Sequence, residues 1–181
     1  MSRRDVRPIG RERFFGDEEI IVSKTDPKGV ITSANEVFVG VSGYSEAELL
    51  GAAHSIIRHP DMPRCVFQHL WDTLHAGREI SAYVMNLAQT GQHCWVLAHV
   101  TPTLVPDGRA VGYHSCRRVP SRPVVEQVRP VYQRLLQEEA KYPRSLEGIA
   151  AGTRLLGETL AGAGVSYDEF VWSLEAQSVG R

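Results

Sequence analysis

Residues 51–63 read Gly-Ala-Ala-His-Ser-Ile-Ile-Arg-His-Pro-Asp-Met-Pro. Two histidines (His54 and His59), an arginine (Arg58) and an acid (Asp61) are gathered there between glycine and proline punctuation. Each proline removes a backbone donor and drives the residue before it toward extended conformations, so no regular helix runs through Pro60. The stretch is expected to form a compact loop presenting polar groups, between a helix ending near Leu50 and another beginning near Met62. Loops held by a rigid scaffold are where binding chemistry concentrates. A surface turn with incidental histidines is the plainer alternative, and the flanking chain decides between them.

Upstream, β-branched runs at Ile20–Lys24 and Val30–Ser33 flank a turn at Asp26-Pro27-Lys28-Gly29, which predicts a hairpin. Asn35 opens a short apolar helix that Gly43 ends, and Ser45 with Glu48 three residues on is a capping-box pattern for another. Downstream, Val66, Leu70 and Leu74 recur at helical spacing over Pro63–His75, with Phe67 and Trp71 on the adjoining row and Gly77 as the stop. Three β-rich runs follow, Glu79–Ala88, Gln92–Leu104 and Arg109–Arg118, separated by turns at Thr90-Gly91 and Pro106-Asp107-Gly108. Alternation puts Ile80, Ala82, Val84, Asn86 and Ala88 on one face of the first run and Cys94, Val96, Ala98 and Val100 on one face of the second. The opposite faces, with Tyr83, Met85, Leu87, Trp95 and Leu97, are also apolar. Such a sheet is covered on both sides: by short helices or a ligand on one, by a terminal helix or a second subunit on the other.

Residues 1–16 are polar and without periodicity, and are read as an arm that a partner orders. From residue 120 the chain turns helical. Val125, Val128, Val131 or Tyr132, Leu135 and Leu136 mark one amphipathic helix ending near Lys141; Ser145–Ala161 forms a second, with close packing as the reason for Gly148, Gly152 and Gly157. A capping box at Ser166–Glu169 starts a short last helix carrying Phe170, Trp172 and Leu174.

The 181 residues suffice for a sizeable core. A net charge of -1, with arginine pairs only at Arg3-Arg4 and Arg117-Arg118, gives no case for nucleic acid or an anionic membrane. No apolar run approaches a membrane span, and the start lacks the apolar core of a signal peptide. Three widely spaced cysteines (Cys65, Cys94, Cys116) suggest reduced thiols, so a cytoplasmic protein is expected. No nucleophile elbow, phosphate loop, HExxH or dinucleotide fingerprint is present, so an enzyme is not. His93 and His99 lie about 20 Å apart on a predicted strand at about 3.3 Å per residue, which excludes one shared metal ion.

Asp26–Asn35, Val41-Ser42-Gly43-Tyr44, Arg58–Pro63 and Gly91–Val96 together resemble the FAD-binding PAS domain of bacterial aerotaxis receptors. The resemblance spans residues 17–119; residues 120–181 form a helical extension outside it. It implies an α+β chain with a PAS fold: a five-stranded antiparallel sheet with short helices on one face, and FAD held non-covalently between them. By that similarity Arg58, His59 and Asp61 belong to the loop securing the cofactor. Arginine suits a pyrophosphate, and the amide of Asn86 suits the edge of an isoalloxazine. Trp71 and Trp95 either wall the ring or are plain core; Asn35 is a helix N-cap or a cofactor contact. His54 stands where light-sensing flavin relatives carry an adduct-forming cysteine, so it counts among the cofactor contacts and no cysteinyl photoadduct is expected. Two positions depart from the pattern: Ile80-Ser81-Ala82 where relatives carry Trp-Ser-Gly, and Cys94 where they carry tyrosine.

The leading expectation is a redox- or oxygen-linked sensor, a homodimer that passes its signal to a chemoreceptor or histidine kinase. A haem sensor with His69 as axial ligand is one alternative. A cofactor-free PAS interaction or dimerisation module is the other.

Overall fold

Two β-hairpins meet in the middle of one sheet. The first pairs β1 (Ile21–Thr25) with β2 (Ile31–Ala34) around the Asp26–Gly29 turn, where Asp26 Oδ1 accepts from the backbone N–H groups of Lys28 and Val30. The second is part of the meander β3 (Ile80–Leu87), β4 (His93–Leu104) and β5 (Ala110–Arg118). β5 pairs antiparallel with β1, which gives the order β2-β1-β5-β4-β3. The computed structural model describes residues 6–179, without the side chains of 177–179. The Arg3-Arg4 pair lies outside the described residues.

Register fixes the two faces of the sheet. Asn86 faces Cys94, Val84 faces Val96, and Ala98 pairs with Arg117, which itself pairs with Ile21. Directly paired residues share a face, so these make up the inner one. Met85 with Trp95 and Tyr83 with Leu97 make up the outer one.

Between the hairpins run α1 (Glu36–Ser42), α2 (Glu46–Leu49), a single 3-10 turn at His54–Ile57, and α3 (Arg64–His75). The caps are those the sequence announces: Asn35 accepts from Phe38 N–H, Gly43 closes α1 at φ 74°, and Ser45 and Glu48 exchange bonds in a capping box. The expected loop thus contains one short helical turn, and α3 begins just after Pro63.

The tail forms α4 (Arg122–Ala140), α5 (Ser145–Ala163) and α6 (Tyr167–Val179). On α4 the buried stripe is Val124, Val125, Val128, Tyr132 and Leu135; of the two readings at 131 and 132, the structure chooses tyrosine. The Tyr132 hydroxyl donates to the Tyr83 carbonyl at 2.7 Å, and the Tyr83 hydroxyl donates to the Val171 carbonyl at 3.1 Å. The outer face beside β3 is therefore covered by this chain's own helices. α5 then reaches α3, where Glu139 at the end of α4 takes up the first backbone donors of α3: Arg64 N–H at 3.1 Å and Cys65 N–H at 2.8 Å.

The arm differs from expectation. Residues 93–96 of β4 pair with β3 but extend past the end of β5, leaving backbone groups free on that side. The arm fills this gap: Arg13 N–H donates to the His93 carbonyl, His93 N–H to the Arg11 carbonyl, and Ile9 N–H to the Gly91 carbonyl. Gly91, at φ 83°, admits it closely, since a Cβ there would stand 2.5 Å from the Arg7 carbonyl oxygen. No partner is needed to order residues 7–13.

Candidate functional site

Between the inner face of the sheet and α3 lies a cavity of about 120 Å³. Its walls are mostly apolar: Phe67, Leu70, Trp71 and Leu74 from α3, with Val84, Ala98 and Val100 from the sheet. Four residues singled out from the sequence line it: His54, Arg58, Trp71 and Asn86. Arg58 and Asn86 are brought together by an isolated antiparallel bridge, in which the loop's backbone meets β3, and the Arg58 guanidinium lies 4.0 Å over the Phe67 ring. Asn86 is buried and brings an amide, both donor and acceptor, to the wall.

The other four do not line the cavity. Trp95 lies on the outer face, its ring 6.1 Å from that of Tyr132 and beneath Arg129, because its neighbours Asn86 and Cys94 point inward and alternation turns it away. Asn35 spends its amide on structure, accepting from Val22 N–H and Phe38 N–H and donating to the Ile20 carbonyl. His59 is buried but packs edge-on against His93, and its Nδ1 accepts from Asp61 N–H. Asp61 itself is 72% exposed, its carboxylate 3.9 Å from His59. These two brace the loop. His69, the ligand a haem would need, faces the Tyr167 ring of α6 at 4.7 Å and is absent from the cavity wall.

Arg117 escaped the sequence reading, which used it only as half of an arginine pair too isolated to make a basic patch. It is 2% exposed, at the centre of the inner face, and lines the cavity with Ser23 and Ser115. Its Nη2 donates to Ser23 Oγ at 2.5 Å, and Phe38 lies under the guanidinium at 4.5 Å. Its Nε and Nη1 are buried and find no partner among the described residues. The signal was present in the alternation Tyr113, Ser115, Arg117, but the face of β5 is known only once its register with β4 and β1 is known.

Electrostatics follow from that arrangement. Burial lowers the Arg117 pKa to about 10, which leaves it charged at neutral pH. His54 is held down to about 3, chiefly by desolvation and secondly by the Arg117 charge. Its Nε2 lies 3.2 Å from Ser23 Oγ. Since that oxygen accepts from Arg117, its own proton is free for His54 Nε2, and a neutral imidazole with its hydrogen on Nδ1 completes the chain. Cys65 is pushed up to about 12 by burial and by Glu139, which makes it an unreactive core thiol, and no cysteine lines the cavity.

A five-stranded antiparallel sheet, with short helices and a lined cavity on one face and helices of the tail on the other, is the architecture of a PAS domain. Residues 31–116 match the family described as PAS fold, and this part of the chain is a PAS domain resembling that of aerotaxis receptors. The chain is 40% identical over 121 residues to the aerotaxis receptor of Escherichia coli (strain K12), covering 67% of this chain and 24% of the relative. It is 31% identical over 99 residues to the nitrogen fixation regulatory protein of Klebsiella pneumoniae, covering 55% of this chain and 20% of that protein. The chain thus spans about a quarter and a fifth of the length of these two relatives. Among solved structures, the light-state structure of the blue-light photoreceptor Aureochrome1 LOV superposes with a TM-score of 0.55 at 24% identity, covering 61% of this chain and 88% of that one, which bears on the fold alone. No helix among the described residues is long and apolar enough to cross a membrane.

Proposed function

We propose that this chain is the sensory part of a redox- or oxygen-linked signalling protein and holds FAD non-covalently in the cavity behind its sheet. The observation that carries the reading is the set of polar groups converging inside otherwise apolar walls: the Asn86 amide, the Ser115 hydroxyl, and the Arg117 guanidinium with two unspent donors. Such donors suit the carbonyl-rich edge of an isoalloxazine. Bound flavin supplies reversible electron uptake, with a change of charge and protonation at the ring edge. The residues supply the rest. Asn86 and Arg117 orient the edge, Trp71 and Phe67 wall the ring, and Arg58 at the mouth offers its fork to the phosphates. Ligand cavities commonly measure some 300 Å³ or more, so a flavin ring would enter only if wall side chains such as Arg58 and Phe67 moved outward.

The domain acts without catalysis of its own, in the cytoplasm, as a homodimer that biases a chemoreceptor or histidine kinase; the sheet and the helices on its outer face carry the change outward. A ligand shifts the domain only as far as it prefers one conformation. A cofactor-free interaction module is the second reading, favoured by the small enclosed volume. The absorption spectrum of freshly purified protein tests both. A two-banded flavin spectrum whose chromophore is released as FAD on denaturation is the expected result. Protein that stays colourless after incubation with excess FAD leaves the interaction module.

A further inference from the structure

Arg117 is an expensive residue where it stands. Removing a cation from water costs several kcal/mol even after relaxation, and among the described residues no carboxylate pairs with Arg117 while burial lowers its pKa. Ser23 satisfies one nitrogen and Phe38 offers a ring face, yet Nε and Nη1 remain buried and unpartnered among the described residues. A hydrophobic side chain would fill the same place, between its strand partners Ile21 and Ala98. Arg117 lines the cavity, and a ligand held there is the partner its buried nitrogens lack.

We propose that Arg117 is the specificity-determining residue of this cavity: it selects a planar ligand that turns an anionic or carbonyl-rich edge to the sheet, and holds that edge more tightly when it carries negative charge. His54 is part of the same device. Ser23 ties it to Arg117, it stays neutral, and so it adds no second cation to compete for the ligand. Only the redox consequence rests on the flavin reading. Two electrons and one proton from an external donor leave a flavin with one negative charge on its imide edge, and a fixed cation facing that edge favours the reduced form.

The test uses the full chain and two variants, Arg117→Met and Arg117→Lys. In the first arm, FAD affinity is measured for the oxidised cofactor and for the cofactor reduced with dithionite. Wild type is expected to bind the reduced form at least tenfold more tightly than Arg117→Met does, relative to the oxidised form, equivalent to a fall of about 30 mV in the two-electron potential of the variant. Arg117→Lys should recover part of the difference. An unchanged ratio in Arg117→Met overturns the proposal.

The second arm does not involve flavin. Cofactor-free protein is melted with benzoate and with its neutral isostere benzamide. Wild type should be stabilised more by benzoate, and Arg117→Met should lose that preference; equal shifts in wild type, or none, overturn the proposal. Absence of FAD binding in wild type sinks the flavin reading, and the benzoate arm then decides the role of Arg117 alone. Cofactor-free Arg117→Met is expected to melt no lower than wild type, since it loses an unpaired buried charge. A large drop instead assigns Arg117 to the fold and overturns the proposal.

Discussion

His54 is packed between groups that oppose its protonation from three elements. Phe38 of α1 stacks on it at 5.9 Å, Arg117 of β5 repels a second cation, and Ser23 of β1 offers its ring nitrogen a hydrogen bond. The folded ring stays neutral down to about pH 3, while the unfolded one takes up its proton near 6.5. The unfolded state therefore binds more protons between those values. Stability is complete above pH 6.5 and falls as pH drops, by about 1.4 kcal/mol per pH unit for one such group. His59, His69 and His93 are also lowered, chiefly by burial, and act in the same sense. Urea unfolding at pH 7, 6 and 5 should show a shallower pH slope for His54→Gln than for wild type; parallel slopes refute the assignment. At this scale the sequence was half legible. Asn86 stood out as a polar residue on an apolar strand face, and Arg58 by its motif. Arg117 did not, because a residue beside another arginine at a strand end looks solvated until the register turns one inward and the other outward.

Elements touch where glycine lets them, and α5 contains the contrast. A Cβ on Gly148 would stand 2.7 Å from the Glu139 carbonyl oxygen, and one on Gly152 would stand 2.9 Å from Glu139 Cγ and 3.0 Å from Cys65 Sγ. Gly157, on the same helix, has nothing within 4 Å. Close packing thus accounts for two of the four glycines of α5, and nothing in the structure accounts for Gly157 or Gly162. Gly157→Ala should stabilise the protein by about 1 kcal/mol, the helix-propensity difference alone. Gly148→Ala should destabilise it, because the obstacle is backbone. Thermal melts of the two variants moving in the same direction would contradict this account. The element boundaries were readable because caps are local chemistry: Asn35, Ser45 with Glu48, and Ser166 with Glu169 each act within three residues. The docking of α4 was not. Glu139 stands in a run of two glutamates at a helix end and looks like solvated surface, yet it is 2% exposed.

For the molecule as a whole, one sheet separates a cavity from α6 and part of α4, while α5 packs against α3. Along β3 the two sides alternate residue by residue, Asn86 and Val84 inward, Met85 and Tyr83 outward. Tyr83 holds the tail, its hydroxyl reaching the Val171 carbonyl and Glu175, each at 3.1 Å. Tyr83→Phe keeps the ring and loses both bonds, at a cost of about 1 kcal/mol. Amide exchange should quicken in α6 and remain unchanged in β4; unchanged protection of α6 would show that packing alone holds it. The sheet itself was apparent from alternation and turns. Which body would cover its outer face was not, since a tail helix and a second subunit present the same apolar stripe. The cap on α3 carries a consequence for how the chain is made. α3 forms one wall of the cavity, and the carboxylate completing its first turn is encoded 74 and 75 residues after the amides it serves. As the chain leaves the ribosome, the pocket's framework emerges with that helix end open. Only when translation has passed through α4 can the wall be fastened, so a ligand that needs the fastened wall would wait for a segment that lines no part of the pocket.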